Sequence, residues 1–283
     1  MTRVVAIGEC MVELSAAGDG LLRRRFAGDA YNTAVYLKRT RPQIEVSFLT
    51  VAGDDPLSSE MRRAWAAEGI LDDLAFTDPQ RRPALYLIET DAAGDRRLHY
   101  WRGESAALEK ADLVYISGVS FAILPPEERM DAVYFLTGLK GKALIAFDPN
   151  VRPALWESPR AAASLFEVFT DIADMVLPSR QDMETLYGPA PAHEHLARIV
   201  DLGGREVALT CEGDDALVHH HGKTCALTPP AARVVDTSGG GDSFNGAYLA
   251  ARLTGAEPVE AARLGLALAA RVVGKPGALI DEG

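Results

Sequence analysis

The chain has 283 residues, with 29 Lys plus Arg against 40 Asp plus Glu, which gives a net charge of −11. Hydrophobic residues make up 48% and charged residues 24%, so a disordered or collagen-like chain is excluded. The acidic balance argues against a nucleic-acid-binding protein. No apolar run approaches the ~18 residues of a membrane helix, and we expect neither a membrane segment nor a signal peptide.

The three cysteines are an odd number and lack CxxC spacing (Cys10, Cys211 and Cys225). This pattern predicts neither a structural zinc site nor a disulfide scaffold, and it favours a cytoplasmic location. The segment His193-Glu194-His195 lacks the spacing of a helical zinc motif, and we expect it at a solvated helix start.

The first hundred residues predict short strands, two helices and a hairpin. Strands are expected at 4–8, 11–14 and 46–51, and helices from Asp29 or Asn32 to Lys38 and from Pro56 to Glu68. Residues 84–88 and 97–101 flank a polar, Gly-containing turn at 91–95, which is typical of a hairpin. These strands predict a small β-rich appendage.

Strands and helices alternate regularly from Leu113 onward. Strand patterns lie at 113–116, 143–147, 175–177 and 207–211, with more extended chain at 216–220 and 225–227. Helical patterns lie at 126–136, 159–172, 180–187, 240–253 and 258–273. This alternation indicates an α/β core with a mostly parallel sheet, and a β appendage on such a core implies a ligand-binding cleft.

The sharpest local feature is a run of three glycines that leads into a helix: Gly239, Gly240 and Gly241, followed by Asp242. Glycines let backbone N–H groups approach an anion closely, and a helix N-terminus favours negative charge, so the run predicts a cradle for a transferring phosphoryl group. Asp242 in the first turn then has the chemistry of a general base for a hydroxyl group. From these residues alone, a flexible loop capped by Asp242 fits equally well.

Two motifs carry a family resemblance. Residues 236–244, Asp-Thr-Ser-Gly-Gly-Gly-Asp-Ser-Phe, resemble the second signature of the ribokinase-like (PfkB) carbohydrate kinases, DTxGAGDxF. Residues 28–34 resemble their first signature, with Ala27 in the place of its first glycine. The resemblance covers nearly the whole chain. It implies one kinase domain over 1–283, with a three-layer α/β/α core, a mostly parallel sheet and a small β-sheet lid within about 10–33 and 83–103.

Within that family the chain most resembles the 2-keto-3-deoxygluconate kinases, through residues 8–14, 27–34, 100–106 and 147–152. The resemblance implies sugar contacts from Gly28, Asp29, Asn32 and Asp242, a cover of lid residues Tyr86, Tyr100 and Arg102, and a contact from Arg152 in the core. Two arginines at the cleft suit a carboxylate, because a guanidinium fork binds it in a bidentate manner. Solvated or locally paired arginines, such as Arg152 with Asp148, are the alternative.

The nucleotide side is implied by the resemblance alone. Ser179 and Asp182 occupy the family's NxxE element, and Thr210, Glu212 and Gly213 resemble its nucleotide-contact turn. Ser238, Gly239 and Gly241 are the phosphate-side residues of the signature. No Lys stands near the turn at 210–213, in contrast to many relatives.

These residues predict an ATP- and Mg²⁺-dependent kinase of the 6-hydroxyl of 2-keto-3-deoxygluconate. Asp242 is the expected base and Gly239 to Gly241 the expected anion hole. A monovalent-cation requirement near Asp236 stays open, and the resemblance implies a homo-oligomer formed through the lid. Two alternatives stay open: a kinase of a neutral sugar such as fructose, and a non-catalytic sugar or nucleotide sensor.

Overall fold

A computed structural model describes residues 2–16, 19, 21–88 and 110–281. The strands are β1 (Arg3–Ile7), β2 (Met11–Ala16), β3 (Leu22–Ala27), β4 (Glu45–Ala52), β5 (Ala75–Thr77), β6 (Leu85–Ile88), β7 (Leu113–Ser117), β8 (Leu144–Asp148), β9 (Met175–Val176), β10 (Glu206–Leu209), β11 (Ala216–His220) and β12 (Lys223–Leu227). The helices are α1 (Asp29–Thr40), α2 (Pro56–Ala67), α3 (Gly118–Ala122), α4 (Pro126–Thr137), α5 (Pro159–Ile172), α6 (Arg180–Tyr187), α7 (Ala192–Asp201), α8 (Gly240–Leu253) and α9 (Pro258–Val272).

Within the described residues, nine strands form one large sheet in the order β12-β11-β10-β9-β8-β7-β1-β4-β5. The seven strands β10, β9, β8, β7, β1, β4 and β5 are parallel, and β11 and β12 add an antiparallel edge. The chain starts at β1 in the middle, fills one side with β4 and β5, and then continues with β7 on the other side. Ligands of such sheets bind at the carboxyl ends of the strands beside this switch point.

Alternating residues of the central strands explain the three layers. Val4, Ala6 and Tyr115 face a core built with α1, α2, α8 and α9. Val5 and Val114 face a second core built with α3 to α7. Because successive side chains of a strand point to opposite faces, these nearly continuous apolar strands bury both faces of the sheet.

A second sheet has the order β3-β2-β6, and its strand β3 leads into the start of α1. Strand β3 pairs antiparallel with β2, and β6 pairs parallel with β2. We call these three strands the lid. The first arm of the predicted hairpin is therefore a lid strand, while its turn at 91–95 and its second arm at 97–101 lie outside the described residues. In the part of the chain that is described, no helix is long and apolar enough to cross a membrane.

One sequence expectation is wrong for one residue: α7 begins at Ala192, and His193 and Glu194 are exposed, but His195 is not. His193 to His195 was expected at a solvated helix start, but His195 is only 2% exposed within α7. It lies beside the buried Leu196 and on the same side of the helix as Ile199, so the apolar face of α7 carries the imidazole into the core. Burial lowers the pKa of His195, which favours the neutral ring.

A buried ion pair anchors the carboxyl end of α8 to the sheet. Glu206 of β10 is 5% exposed and accepts hydrogen bonds from Tyr248 Oη at 2.7 Å and from Arg252 Nε and Nη2, both at 2.8 Å. A buried carboxylate needs such partners because its desolvation is costly. The pair therefore holds the helix whose opposite end carries Asp242.

We expect Arg252→Met to lower the free energy of unfolding by about 3 kcal/mol, because it leaves Glu206 buried without its cation. Chemical denaturation measures this loss. Arg205→Met is the matched control: Arg205 is a half-exposed arginine whose carboxylate partner Asp174 lies 3.5 Å away, so we expect a change below ~1 kcal/mol. Equal losses in the two variants would contradict the importance of the buried pair.

Candidate active site

Asp242 lies in the first turn of α8, at the carboxyl edge of the sheet, directly after the glycine run. The helix begins at Gly240, and its N-cap, Gly239, has a left-handed φ of 73°. Asp242 Oδ2 accepts a hydrogen bond of 2.9 Å from Asn32 Nδ2 of α1, across 210 residues of sequence. The structure thus joins the two predicted signatures through one side-chain contact.

The electrostatics of Asp242 suit a base. Burial, and then the negative charge of Asp29, raise the pKa of Asp242 to about 7. The amide of Asn32 and the positive charge of Arg152 act in the opposite direction. A carboxyl group with a pKa near the working pH is both available as a carboxylate and basic enough to accept a proton.

Asp29 is held at the start of α1 by donors from two other strand ends. Its Oδ2 accepts hydrogen bonds from Ser117 Oγ, at the end of β7, and from Asn150 Nδ2 at 2.8 Å, just after β8. Its Oδ1 accepts the N–H of Ala30 at 2.8 Å. A carboxylate has about four lone-pair sites, so these three bonds fix its orientation and leave capacity for a ligand hydroxyl. Gly28, just before it, places its N–H 3.4 Å from Asn32 Oδ1.

Asp148 is the centre of a buried polar cluster beneath these residues. It is 7% exposed, and its Oδ2 accepts hydrogen bonds from Asn245 Nδ2 at 2.8 Å and from Tyr115 Oη at 3.3 Å. Its Oδ1 accepts the N–H of Asn150 at 3.0 Å. Burial, and then the charges of Asp182, Asp242 and Asp29, raise its pKa well above the usual range. These donors replace the pairing with Arg152 that the sequence left open.

The glycine run is braced by Asp236 and by the segment near the end of the chain. Asp236 Oδ1 accepts the N–H of Ser238 at 2.8 Å, and its Oδ2 accepts the N–H of Gly277 at 2.7 Å. Burial opposes ionisation here, but these backbone donors still lower the pKa of Asp236. A Cβ on Gly239 would lie 2.3 Å from the carbonyl oxygen of Ala278, so only glycine fits this contact.

The three predicted anion-hole glycines are not equivalent. The N–H of Gly240 already donates to Thr237 O at 3.2 Å. Gly241 is exposed, and its N–H lies in the first helical turn, where the backbone donors have no intrahelical acceptor. The first turn of α8 is therefore a place where backbone donors and the helix dipole favour an anion.

The predicted nucleotide-side residues gather at the carboxyl ends of β9 and β10. Ser179 caps α6 through a reciprocal capping box with Asp182, whose Oδ1 also accepts the N–H of Val151 at 2.7 Å. Thr210 forms a β-bridge with Ser179, and the exposed turn after β10 contains Glu212 and Gly213 with positive φ values. This capped turn and the exposed turn share one edge of the sheet with the site of Asp242.

The predicted lid contacts are described only in part. Tyr86 lies on β6, opposite Glu13 of β2, and its side chain is outside the description. Tyr100 and Arg102 lie outside the described residues. Arg152 lies four residues after the end of β8, is exposed, and acts electrostatically on Asp242.

Sequence reasoning missed the roles of Ser117, Tyr115, Asn150, Asn245 and Asp148. Within residues 147–152 the resemblance implies a role for Arg152 alone, although Asp148 and Asn150 stand in the same segment. Asn245 follows Asp242 by three residues, a spacing that places both on one helix face and was a usable signal. Ser117 and Tyr115 carry no local signal, because their partners are 88 and 33 residues away.

A separate cavity of about 650 Å³ lies at the opposite edge of the large sheet, against Leu144, Met175 and the turn at His219–His221. None of the predicted site residues lines it. Arg252, which lines this cavity, is already paired with Glu206. The candidate active site is therefore the one at the carboxyl edge of the sheet.

The chain is similar to known sugar kinases over nearly its whole length. The chain is 37% identical to the 2-dehydro-3-deoxygluconokinase of Dickeya dadantii strain 3937, over 98% of this chain and 96% of that protein. It is 34% identical to the enzyme of the same name from Escherichia coli strain K12, over 99% of this chain and 97% of that protein. The crystal structure of a PfkB protein from Polaromonas sp. JS666 superimposes with a TM-score of 0.83 at 23% identity, over 97% of this chain and 96% of that one.

The family model for the pfkB family carbohydrate kinases matches residues 1–282. Both signatures, the parallel sheet and the site at its carboxyl edge lie within this match. The chain therefore belongs to the pfkB family of carbohydrate kinases.

Proposed function

We propose that this protein transfers the γ-phosphoryl group of ATP to the 6-hydroxyl of 2-keto-3-deoxygluconate. The observation that carries the kinase chemistry is the position of Asp242, between the glycine run and Asn32 of α1. Relatives that share 34% and 37% of their residues over nearly their full length are named 2-dehydro-3-deoxygluconokinase, a name for the kinase of this sugar acid.

Asp242 acts as the base. The 6-hydroxyl gives its proton to the Asp242 carboxylate, its oxygen bonds to the γ-phosphorus, and the bond from that phosphorus to the bridging oxygen of ADP breaks. Asn32 donates to Asp242 Oδ2, which leaves Oδ1 to accept the hydroxyl proton. Backbone N–H groups of the glycine run and the first turn of α8 stabilise the charge that spreads over the moving phosphoryl group.

Asp29 and Asn32 orient the sugar. Asp29 is locked by Ser117 and Asn150, so it offers a fixed acceptor to a sugar hydroxyl. A rigid acceptor next to the base holds the 6-hydroxyl near the γ-phosphorus, and such positioning accounts for much of the rate of phosphoryl transfer. The lid over the site excludes water, which would otherwise compete as the acceptor.

The sugar acid brings a negative charge to an edge that already holds Asp29, Asp148, Asp182 and Asp242. A cationic partner is needed to offset the repulsion. Arg152 is the exposed guanidinium beside this edge, and a planar fork suits a carboxylate. A carboxylate on the substrate gives this guanidinium a partner that a neutral sugar lacks, and this contact supports the sugar acid as the substrate.

The chemistry of the donor set fits a Mg²⁺ ion that arrives with ATP. Among the described residues no group of three or more His, Cys, Asp or Glu forms a metal cage, and Mg²⁺ usually binds through phosphates, water and one or two carboxylates. Asp182 and Ser179 would hold such an ion through water. When bound, Mg²⁺ neutralises phosphate charge.

We expect the purified protein to release ADP from MgATP much faster with 2-keto-3-deoxygluconate than with fructose or ribose at equal concentration. A coupled ADP assay measures this preference. A preference for a neutral sugar would retain the kinase and overturn the assignment of the sugar acid. No ADP release with any of the three acceptors would contradict the proposed function and favour the sensor.

We expect Arg152→Ala to raise KM for the sugar acid by at least tenfold, which corresponds to about 1.4 kcal/mol, because the variant loses one charge-assisted contact to the carboxylate. We expect KM for ATP to change less than twofold. Initial rates with each substrate varied at saturation of the other measure both constants. Arg160→Ala, at the start of α5, is the control, and we expect it to leave both constants unchanged. Equal effects of Arg152→Ala on the two substrates would argue against a carboxylate contact.

The pKa of about 7 for Asp242 predicts the pH dependence of the reaction. Below that pH the carboxyl group is protonated and accepts no further proton. We therefore expect kcat/KM to decrease as the pH is lowered, by up to tenfold for each pH unit, and to level off above that pH. Asp29→Asn removes a negative charge that raises this pKa, so we expect the midpoint to move to lower pH. ATP titrates identically in both proteins, which makes the difference specific to the enzyme.

Asp242→Asn serves as the reference variant for the pH profiles. We expect kcat to fall by at least ~10²-fold, the lower range for a positioned base, with an unchanged circular dichroism spectrum. Near-normal turnover in this variant, or equal pH profiles for the wild-type protein and Asp29→Asn, would show that Asp242 is not the titrating base.

A further inference from the structure

Residues 277–281, which we call the strap, connect three parts of the molecule. On one side the strap packs on the glycine run: Gly277 donates to Asp236 Oδ2 at 2.7 Å, and Ala278 touches Gly239. From α1, Tyr36 Oη donates to Ala278 O at 2.7 Å, and Arg39 Nη1 donates to Ile280 O at 2.7 Å. The strap therefore braces the glycine run against α1.

The third connection comes from the lid. Arg25 of β3 donates from Nη1 to Leu279 O at 2.9 Å, and its Nη2 lies 3.4 Å from Asp281 Oδ2. Arg25 pairs across the lid with Glu13 of β2, which is 1% exposed. A Cβ on Gly277 would lie 2.9 Å from Arg25 Nη1 and 3.8 Å from Glu13 Oε1, and Gly277 has a φ of +89°. Glycine at 277 thus lets the strap approach both lid side chains.

The strand that carries Arg25 runs directly into the sugar-binding turn. Strand β3 ends at Ala27, Gly28 is the N-cap of α1, and Asp29 is the first residue of the helix. A sugar held by Asp29 and Asn32 therefore restrains the strand from which Arg25 reaches the strap. The strap in turn restrains the glycine run on the nucleotide side.

We propose that Arg25 is a positioning residue that couples the two substrate sites, because its hydrogen bond to the Leu279 carbonyl ties the sugar-side lid to the strap that braces the glycine run. A bound sugar then strengthens nucleotide binding, and a bound nucleotide strengthens sugar binding by the same factor, since coupling between sites is reciprocal. The inference rests on the proposed kinase function, but it does not depend on which sugar is the acceptor.

Arg24, the neighbouring lid arginine, provides a matched control. It also bridges the lid to the core, but it pairs with Glu60 of α2 and lies over the ring of Phe26. None of the contacts described for Arg24 reaches the strap. A variant of Arg24 therefore tests for a general loosening of the lid without breaking the route to the glycine run.

The experiment measures the affinity of the protein for a non-hydrolysable ATP analogue with Mg²⁺ by calorimetry, with and without a saturating sugar. The sugar is the acceptor that gives the fastest ADP release. We expect it to tighten analogue binding at least ~5-fold in the wild-type protein and in Arg24→Gln, in the usual range for coupled sites. In Arg25→Gln the factor should fall toward 1, and Arg25→Lys, which keeps one donor, should recover part of it.

The outcomes separate the inference from the proposed function. Absence of ADP release with every acceptor in the wild-type protein contradicts the function, and the inference with it. With an active enzyme, a wild-type coupling factor in Arg25→Gln overturns the inference, as does equal loss in Arg24→Gln and Arg25→Gln. A wild-type protein without coupling also overturns it. A purely structural role would weaken each ligand separately and leave the coupling factor unchanged.

Discussion

The site depends on holding several carboxylates close together without basic partners. Asp29, Asp148 and Asp242 receive their hydrogen bonds from hydroxyl, amide and backbone N–H donors of Ser117, Asn150, Asn245 and Asn32. Neutral donors satisfy the oxygens but leave the negative charges uncompensated, so burial and mutual repulsion raise the pKa values of Asp148 and Asp242.

The same constraint explains several properties of the site. The pKa of about 7 for Asp242 arises first from its burial and then from the negative charge of Asp29. An excess of negative charge requires cations from the ligands or from the rim. In the proposed function these cations are the Mg²⁺ that arrives with ATP and the guanidinium of Arg152. Arginine or lysine within the cluster would lower the pKa of Asp242 and weaken the base.

Helices α1 and α8 provide the rigid frame for this chemistry. The first turn of α1 carries Asp29 and Asn32, and the first turn of α8 carries Asp242. Phe244 and Tyr248 stack along α8 with ring centroids 5.7 Å apart, and Tyr248 reaches the buried Glu206. The frame therefore links the first turn of α8 to the core, so that packing, and not a loop, sets the position of Asp242 relative to Asp29 and Asn32.

The sequence by itself determined the α/β class, the position of most strands and helices, the family and the two signatures. It could do so because these signals are local: the glycine run, Asp242 and the segment 28–34 are contiguous, and strand patterns repeat every two residues. Only the tertiary structure decided that Asp148 is the buried centre of the site, that His195 lies in the core, and that Arg25 reaches Leu279. These contacts have no local signal, since Asp148 and Asn245 are 97 residues apart and Arg25 and Leu279 are 254 apart, and only the packed sheet and its helices bring them together.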